Sequence, residues 1–158
     1  MLNVGIGEYI ITDNQDEIII THALGSCVAL IIYCKSSKYT AMAHIVLPEN
    51  SSIRNQALYK MKPGYFASDI VPKIIGYYLE GLKCNRHQLE VSVIGGADSR
   101  LLEDVFMVGK KNVAIVSQLL KAYGIKINHA DTGGNISRTV SVNSSNGHIH
   151  IKRQNMIL

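Results

Sequence analysis

Tryptophan is absent from the chain, phenylalanine occurs twice and proline three times. Without an aromatic stacking signature, and with its lysines and arginines scattered, the chain has no nucleic-acid footprint. Lys110-Lys111 and Lys152-Arg153 are the densest basic pairs and read as solvated surface. Three cysteines, Cys27, Cys34 and Cys84, are odd in number and show no C-x-x-C spacing. That excludes a disulfide framework and a zinc knuckle. The stretch Met1–Glu8 has neither a basic segment nor a continuous apolar core, so no signal peptide is read there. The apolar runs within 17–33 are broken by Thr, His, Gly and Ser, and none reaches membrane-spanning length. The expectation is a soluble, cytoplasmic protein with no membrane insertion.

What is present suits one compact domain over residues 1–158. The chain is 47% hydrophobic and 18% charged, which is enough apolar material for a core and too little charge for disorder. A net charge of +4 is modest and compatible with acidic protein partners.

The first fifty residues read as strands. Glu8–Thr12 is followed by the polar turn 13–16, and Glu17–Thr21 carries three consecutive isoleucines. Cys27–Tyr33 and Thr40–Val46 form a hairpin pattern around the loop Lys35-Ser36-Ser37-Lys38. Pro48 ends the second strand, and 49–64 is a polar stretch of ambiguous structure. From Ser68 to Leu82 apolar residues recur at three- and four-residue steps, predicting a helix with Pro72 in its first turn. Leu89–Gly95 reads as a strand. Asn112–Tyr123 reads as a second helix stopped by Gly124. Ile125–Ala130, Thr139–Asn143 and His148–Lys152 close the chain as strands, the last two joined by a hairpin loop at 144–147. These elements predict an α/β domain: a sheet of eight or so mostly antiparallel strands packed with helices.

Cys27 is the candidate nucleophile. Gly25-Ser26 immediately before it allow a sharp turn, and the amides of such a turn can donate to a developing oxyanion. Cys34 and Cys84 lack that setting and read as packing residues; Cys34 lies seven residues on, toward the opposite face of a regular strand. His44 is the favoured base, because its strand and that of Cys27 are hairpin neighbours. An imidazole within hydrogen-bond reach would lower the thiol pKa and populate a thiolate–imidazolium pair. Thr21 could hold the imidazole by accepting a hydrogen bond. His22 is a rival base, although only one of Thr21 and His22 can face the thiol. His148 and His150 share a strand face but lack a third metal ligand, so no metal is expected. Gly95-Gly96 and Gly133-Gly134 mark tight turns, and 131–135 could border the cleft.

The motifs Thr21-x-x-Leu24-Gly25-Ser26-Cys27-Val28-Ala29, Ala43-His44-x-x-Leu47-Pro48-Glu49, Ile94-Gly95-Gly96-Ala97, Gly109-x-x-Asn112-Val113 and Asp131-Thr132-Gly133-Gly134 occur in this order. Together they resemble the CheD family of chemoreceptor glutamine deamidases from bacterial chemotaxis. The likeness runs from about Gly5 to Lys152. It implies a three-layer α/β sandwich with Cys27, His44 and Thr21 as a catalytic triad. It further implies deamidation of selected glutamines on the cytoplasmic helices of methyl-accepting chemoreceptors through a thioester, without cofactor. The phosphatase CheC is the second partner implied. His22 and Ala23, Lys111 and Ser137 depart from residues common in the family at those positions; none belongs to the triad. A regulator acting mainly by binding CheC or receptors, and a hydrolase or transglutaminase acting on other amides, are the competing readings.

Overall fold

The run 28–34 carries no charged residue on either face, because both faces of that strand are covered. In the computed structural model, which describes residues 1–49, 62–98 and 107–156, β4 (Val28–Cys34) is buried at every position. It forms the middle of a five-stranded sheet, flanked on one side by β5 (Tyr39–Ile45) and β2 (Tyr9–Thr12) and on the other by β6 (Glu90–Gly95) and β7 (His129–Thr132). A second sheet of four strands runs β1 (Leu2–Asn3), β3 (Ile18–Leu24), β8 (Ile136–Asn143) and β9 (Ile149–Asn155). Only β1–β3 and β6–β7 are parallel pairs; the other neighbours are antiparallel.

Alternation along β4 divides the interior into two cores. Val28, Leu30, Ile32 and Cys34 face helices α1 (Ala67–Gly76) and α2 (Val108–Ala122). Ala29 and Ile31 face the other way and meet Ile19, Leu24, Val140 and Val142 of the four-stranded sheet. The layers are therefore helices, five-stranded sheet and four-stranded sheet, a three-layer α/β sandwich. Strands buried on both faces read as continuous apolar runs, whereas the outer β8 alternates buried and half-buried positions.

Several elements differ from expectation. The strands form two stacked sheets rather than one, since β8 has only one apolar face to offer and, beside β3, places it on β4 and its neighbours in the five-stranded sheet. The segment 125–128 is not a strand: Ile125 is buried in the core beneath the helices, and pairing with β6 begins only at His129. The first helix is α-helical to Gly76 and continues as a π-helical turn over Tyr77–Gly81. Pro72 lies past its first turn, so it withholds an amide from the ladder there. The second helix begins four residues before Asn112, at Val108. The polar stretch 49–64 falls mostly outside the described residues. Among the described residues no helix is long and apolar enough to cross a membrane.

Candidate active site

β3 and β5 belong to different sheets, and one hydrogen-bonded pair spans the gap between them. Thr21 on β3 is fully buried, and its Oγ1 lies 2.6 Å from Nδ1 of His44 on β5. The same hydroxyl donates to the Val4 carbonyl at 2.7 Å. A threonine hydroxyl has one proton to give. With that proton directed at Val4, the oxygen offers only a lone pair to His44, so the imidazole must carry its proton on Nδ1. Nε2 is then a bare lone pair. It is buried and has no hydrogen-bond partner among the described residues, as a base awaiting a proton would be.

Cys27 stands on the same face of the five-stranded sheet. His44 pairs directly with Ala29, and Cys27, just before β4 begins, precedes Ala29 by two residues and so lies diagonally across from His44. Its side chain packs against the core between the sheets, while Cys34 faces the helices. Cys34 and Cys84 lie together there, sulfur to sulfur at 3.7 Å, away from this site. His22 is exposed and reaches only Asn3 at 3.3 Å. A bulge between Thr21 and Leu24, with Ala23 at φ 54°, breaks the regular alternation after Thr21. His148 and His150 are exposed at the far edge strand. No group of three metal-ligating side chains occurs among the described residues.

The turn bearing the thiol is held by its carbonyls. Gly25 O accepts from the Ala97 amide at 2.8 Å, and Cys27 O from the Gly96 amide at 2.8 Å. Ser26 O accepts from Nδ2 of Asn112 at 3.0 Å. Among the described residues the amides of Gly25, Ser26 and Cys27 donate to no backbone carbonyl. With three carbonyls tied back toward the Gly96 turn and α2, these amides remain available to another acceptor. Gly95 and Gly96, at φ 115° and 64°, make the turn that supplies two of those ties. The Gly133-Gly134 turn packs on it, through Gly133 N to Gly95 O at 3.0 Å and Asp98 N to Gly134 O at 2.8 Å. Buried Arg138 locks the two turns together, bonding Asp131 at 3.0 Å and the Gly133 carbonyl at 2.9 Å. Arg153 completes the ion pair from the surface side of Asp131.

Burial sets the protonation states. It pushes the Cys27 thiol up to about 11 and the His44 imidazole down to about 4. The resting site is accordingly a neutral thiol beside a neutral imidazole, not the ion pair expected from the residue types alone. Burial therefore opposes transfer of the proton between them before substrate arrives.

The sequence reading gave no role to Asn112, Arg138 or the Val4 carbonyl. Asn112 did carry a signal: it shares the buried stripe of α2 with Gly109, Val116 and Leu120, where a polar side chain is out of place.

A buried Thr–His pair near a cysteine raised on a turn is an arrangement that suits cysteine-nucleophile chemistry. The model of the family described as CheD chemotactic sensory transduction matches residues 46–153. The chain belongs to the CheD family. It is 35% identical over 151 residues to a probable chemoreceptor glutamine deamidase CheD of Syntrophotalea carbinolica, covering 95% of this chain and 92% of that one. It is likewise 35% identical over 151 residues to the chemoreceptor glutamine deamidase CheD of Thermotoga maritima, covering 95% and 90%. Among solved structures, the Bacillus licheniformis hypothetical protein YfiH is similar at a TM-score of 0.50 and 10% identity. That match covers 80% of this chain but 49% of YfiH, and bears on the fold alone.

Proposed function

We propose that this protein is a protein-glutamine deamidase that converts glutamines on the cytoplasmic helices of chemoreceptors to glutamates, with Cys27 as nucleophile, His44 as base and acid, and Thr21 as the group orienting His44. The observation that carries the reading is the Val4–Thr21–His44 chain of hydrogen bonds, which leaves Nε2 unprotonated on the face that Cys27 shares. Family membership and the names of the relatives supply the substrate class.

Each step uses groups at the site. The glutamine carboxamide carbon approaches Cys27 Sγ, and His44 Nε2 takes the thiol proton as the C–S bond forms. The carboxamide oxygen becomes an oxyanion facing the amides of the Gly25–Cys27 turn, a stabilisation worth about 3–4 kcal/mol per donor. The imidazolium, held through Nδ1–H on Thr21, gives its Nε2 proton to the departing nitrogen. The depressed His44 pKa that makes it a weak base makes this imidazolium a strong acid. Ammonia leaves and a thioester remains. His44 then takes a proton from water, hydroxide adds to the thioester, and the C–S bond breaks to give glutamate and the Cys27 thiol. His44 returns its proton to the Cys27 sulfur, and the balance is glutamine plus water to glutamate plus ammonium, with no cofactor.

Mass spectrometry of a receptor cytoplasmic fragment tests this. A gain of about one dalton at a glutamine is expected with the native chain and none with Cys27→Ala, at unchanged circular dichroism. Full activity of Cys27→Ala would refute the assignment. The phosphatase CheC is proposed as a second partner and the cytoplasm as the location. The resting thiol's high pKa favours one alternative, a regulator acting mainly by binding CheC or receptors. CheC binding by Cys27→Ala together with no deamidation by the native chain would establish it.

A further inference from the structure

The Cys27 turn and the His44 strand converge on one side chain, Asn112, to which the resemblance through Gly109-x-x-Asn112-Val113 assigned no role. Asn112 is fully buried on α2, and its Nδ2 donates to Ser26 O at 3.0 Å and to Val46 O at 2.9 Å. Ser26 is the residue before the nucleophile, and Val46 lies two residues beyond His44. Both amide protons are thus spent on the backbones that carry Cys27 and His44. Its Oδ1 is buried with no partner among the described residues.

The helix is brought close for this purpose. A Cβ on Gly109 would meet the Ala97 carbonyl and lie 2.8 Å from the Gly96 carbonyl. A Cβ on Gly96 would run into Val113. Two glycines therefore let α2 rest directly on the turn that fixes the carbonyls of Gly25 and Cys27, and Asn112 reaches past that contact to the Ser26 and Val46 carbonyls.

We infer that Asn112 is a positioning residue, a clamp that sets Cys27 Sγ against His44 Nε2 by tying the nucleophile turn to the end of the base-bearing strand. It touches no substrate. The inference rests on the deamidase reading for its catalytic consequence, but the clamp itself is testable without any receptor. Misplacing reacting groups by about 1 Å costs on the order of 100-fold in rate.

The test compares Asn112→Ala and Asn112→Asp with native protein and with Tyr78→Phe. The last removes a different buried hydrogen bond to β4, from Tyr78 Oη to Ile32 O at 2.9 Å, and serves as a control for destabilisation alone. Iodoacetamide labelling, read cysteine by cysteine by peptide mass spectrometry, reports on the turn. In both Asn112 variants Cys27 should label several-fold faster at pH 8 as its turn opens to water, while buried Cys34 should keep its native rate. Deamidation kcat should fall on the order of 100-fold with KM within about twofold. In Asn112→Asp the carboxylate faces two carbonyl oxygens, and only its protonated form can donate to one of them. Its kcat should therefore rise as pH falls from 8 to 6, where the native profile is flat because His44 is held down to about 4. Tyr78→Phe should lower Tm and leave Cys27 labelling and kcat as they were. Native labelling of Cys27 in both folded variants, parallel gains at Cys27 and Cys34, or loss of fold in both variants would overturn the clamp. Altered Cys27 labelling with no deamidation by native protein would leave the clamp standing and sink the deamidase reading instead.

Discussion

Thr21→Val is the sharpest perturbation of the proposed site. Valine keeps the β-branched shape and the strand position and deletes only the hydroxyl. Two bonds disappear, the 2.7 Å donation to Val4 O and the 2.6 Å contact with His44 Nδ1. With no acceptor beside it, a buried Nδ1–H is unsatisfied, at a cost of about 1–3 kcal/mol. Nothing then holds the proton on Nδ1 rather than on Nε2, the position that must be bare to accept the thiol proton and which is equally buried and unpartnered among the described residues. The imidazolium formed during attack also has no acceptor for its Nδ1–H, and losing that charge-assisted bond, at about 1–3 kcal/mol, corresponds to a fall in kcat of about 5- to 150-fold. KM should be unaffected, because Thr21 is fully buried and meets no substrate. The orphaned Val4 carbonyl separately lowers stability by about 1–3 kcal/mol, read as a shift in the urea midpoint. Thr21→Ser keeps the hydroxyl and should recover most of both losses. The assay is ammonia release from a receptor fragment under saturating substrate. A Thr21→Val enzyme within twofold of native kcat, or a Thr21→Ser enzyme as impaired as Thr21→Val, would refute the tautomer argument.

Acid should weaken the fold through His44. Its folded pKa of about 4 lies below its ordinary 6.5, so above pH 6.5 neither state is protonated and this stability is intact. As pH falls toward 4 the unfolded chain binds a proton that the native chain refuses, removing up to about 3 kcal/mol; His44→Asn should flatten that slope in urea titrations across pH 4–7. Arg138→Ala strips the buried partner from Asp131 and the ties to two turn carbonyls, and with Arg153 still paired to Asp131 a loss of about 1–3 kcal/mol is expected in the same assay. Gly25 and Gly96 should differ: nothing lies within 4 Å of a Cβ added at Gly25, whereas Gly96 has φ +64° and would strike Val113. Gly25→Ala should change stability by under about 0.5 kcal/mol and Gly96→Ala by about 1–3 kcal/mol, so equal midpoints for the two would show that α2 does not rest on the turn.

How much of this was legible in the sequence depended on whether a feature is local. The β4–β5 hairpin was readable from two apolar runs and a polar loop, and its pairing places Ala29 opposite His44. From that register alone Cys27 and His44 share a face and Cys34 does not. The division into two sheets was less accessible, because period-two alternation tells which face of a strand is buried but not which layer covers it. Yet continuous burial in β4 against alternation in β8 was the trace of a central and an outer sheet. The segment 125–128 was misread because β-branched residues serve a buried connection as well as a strand. Protonation states were not legible at all. A cysteine near a histidine suggests an ion pair, and only burial between two sheets reveals that both groups rest neutral.

The same burial explains why a threonine suits the proposed third member. A carboxylate at Thr21's position would accept from Nδ1–H more strongly, but it would be a charge enclosed between two apolar sheets, at a desolvation penalty of several kcal/mol. The hydroxyl is neutral, and it can face either way. On its own it would leave the imidazole tautomer undecided, since it could donate to Nδ1 as readily as accept from it. The Val4 carbonyl removes that freedom by taking the only proton. Val4 is held in turn by its own amide, which donates to Ile20 O at 2.8 Å on the strand that carries Thr21. The N-terminal segment therefore acts in the site through its backbone alone. Val4→Ala should consequently leave kcat near native, provided β1 stays paired, while deletion of residues 1–5 should cost about as much activity as Thr21→Val. Ammonia-release rates for the two variants check this, and a truncated chain with native kcat would show that something other than Val4 sets the tautomer.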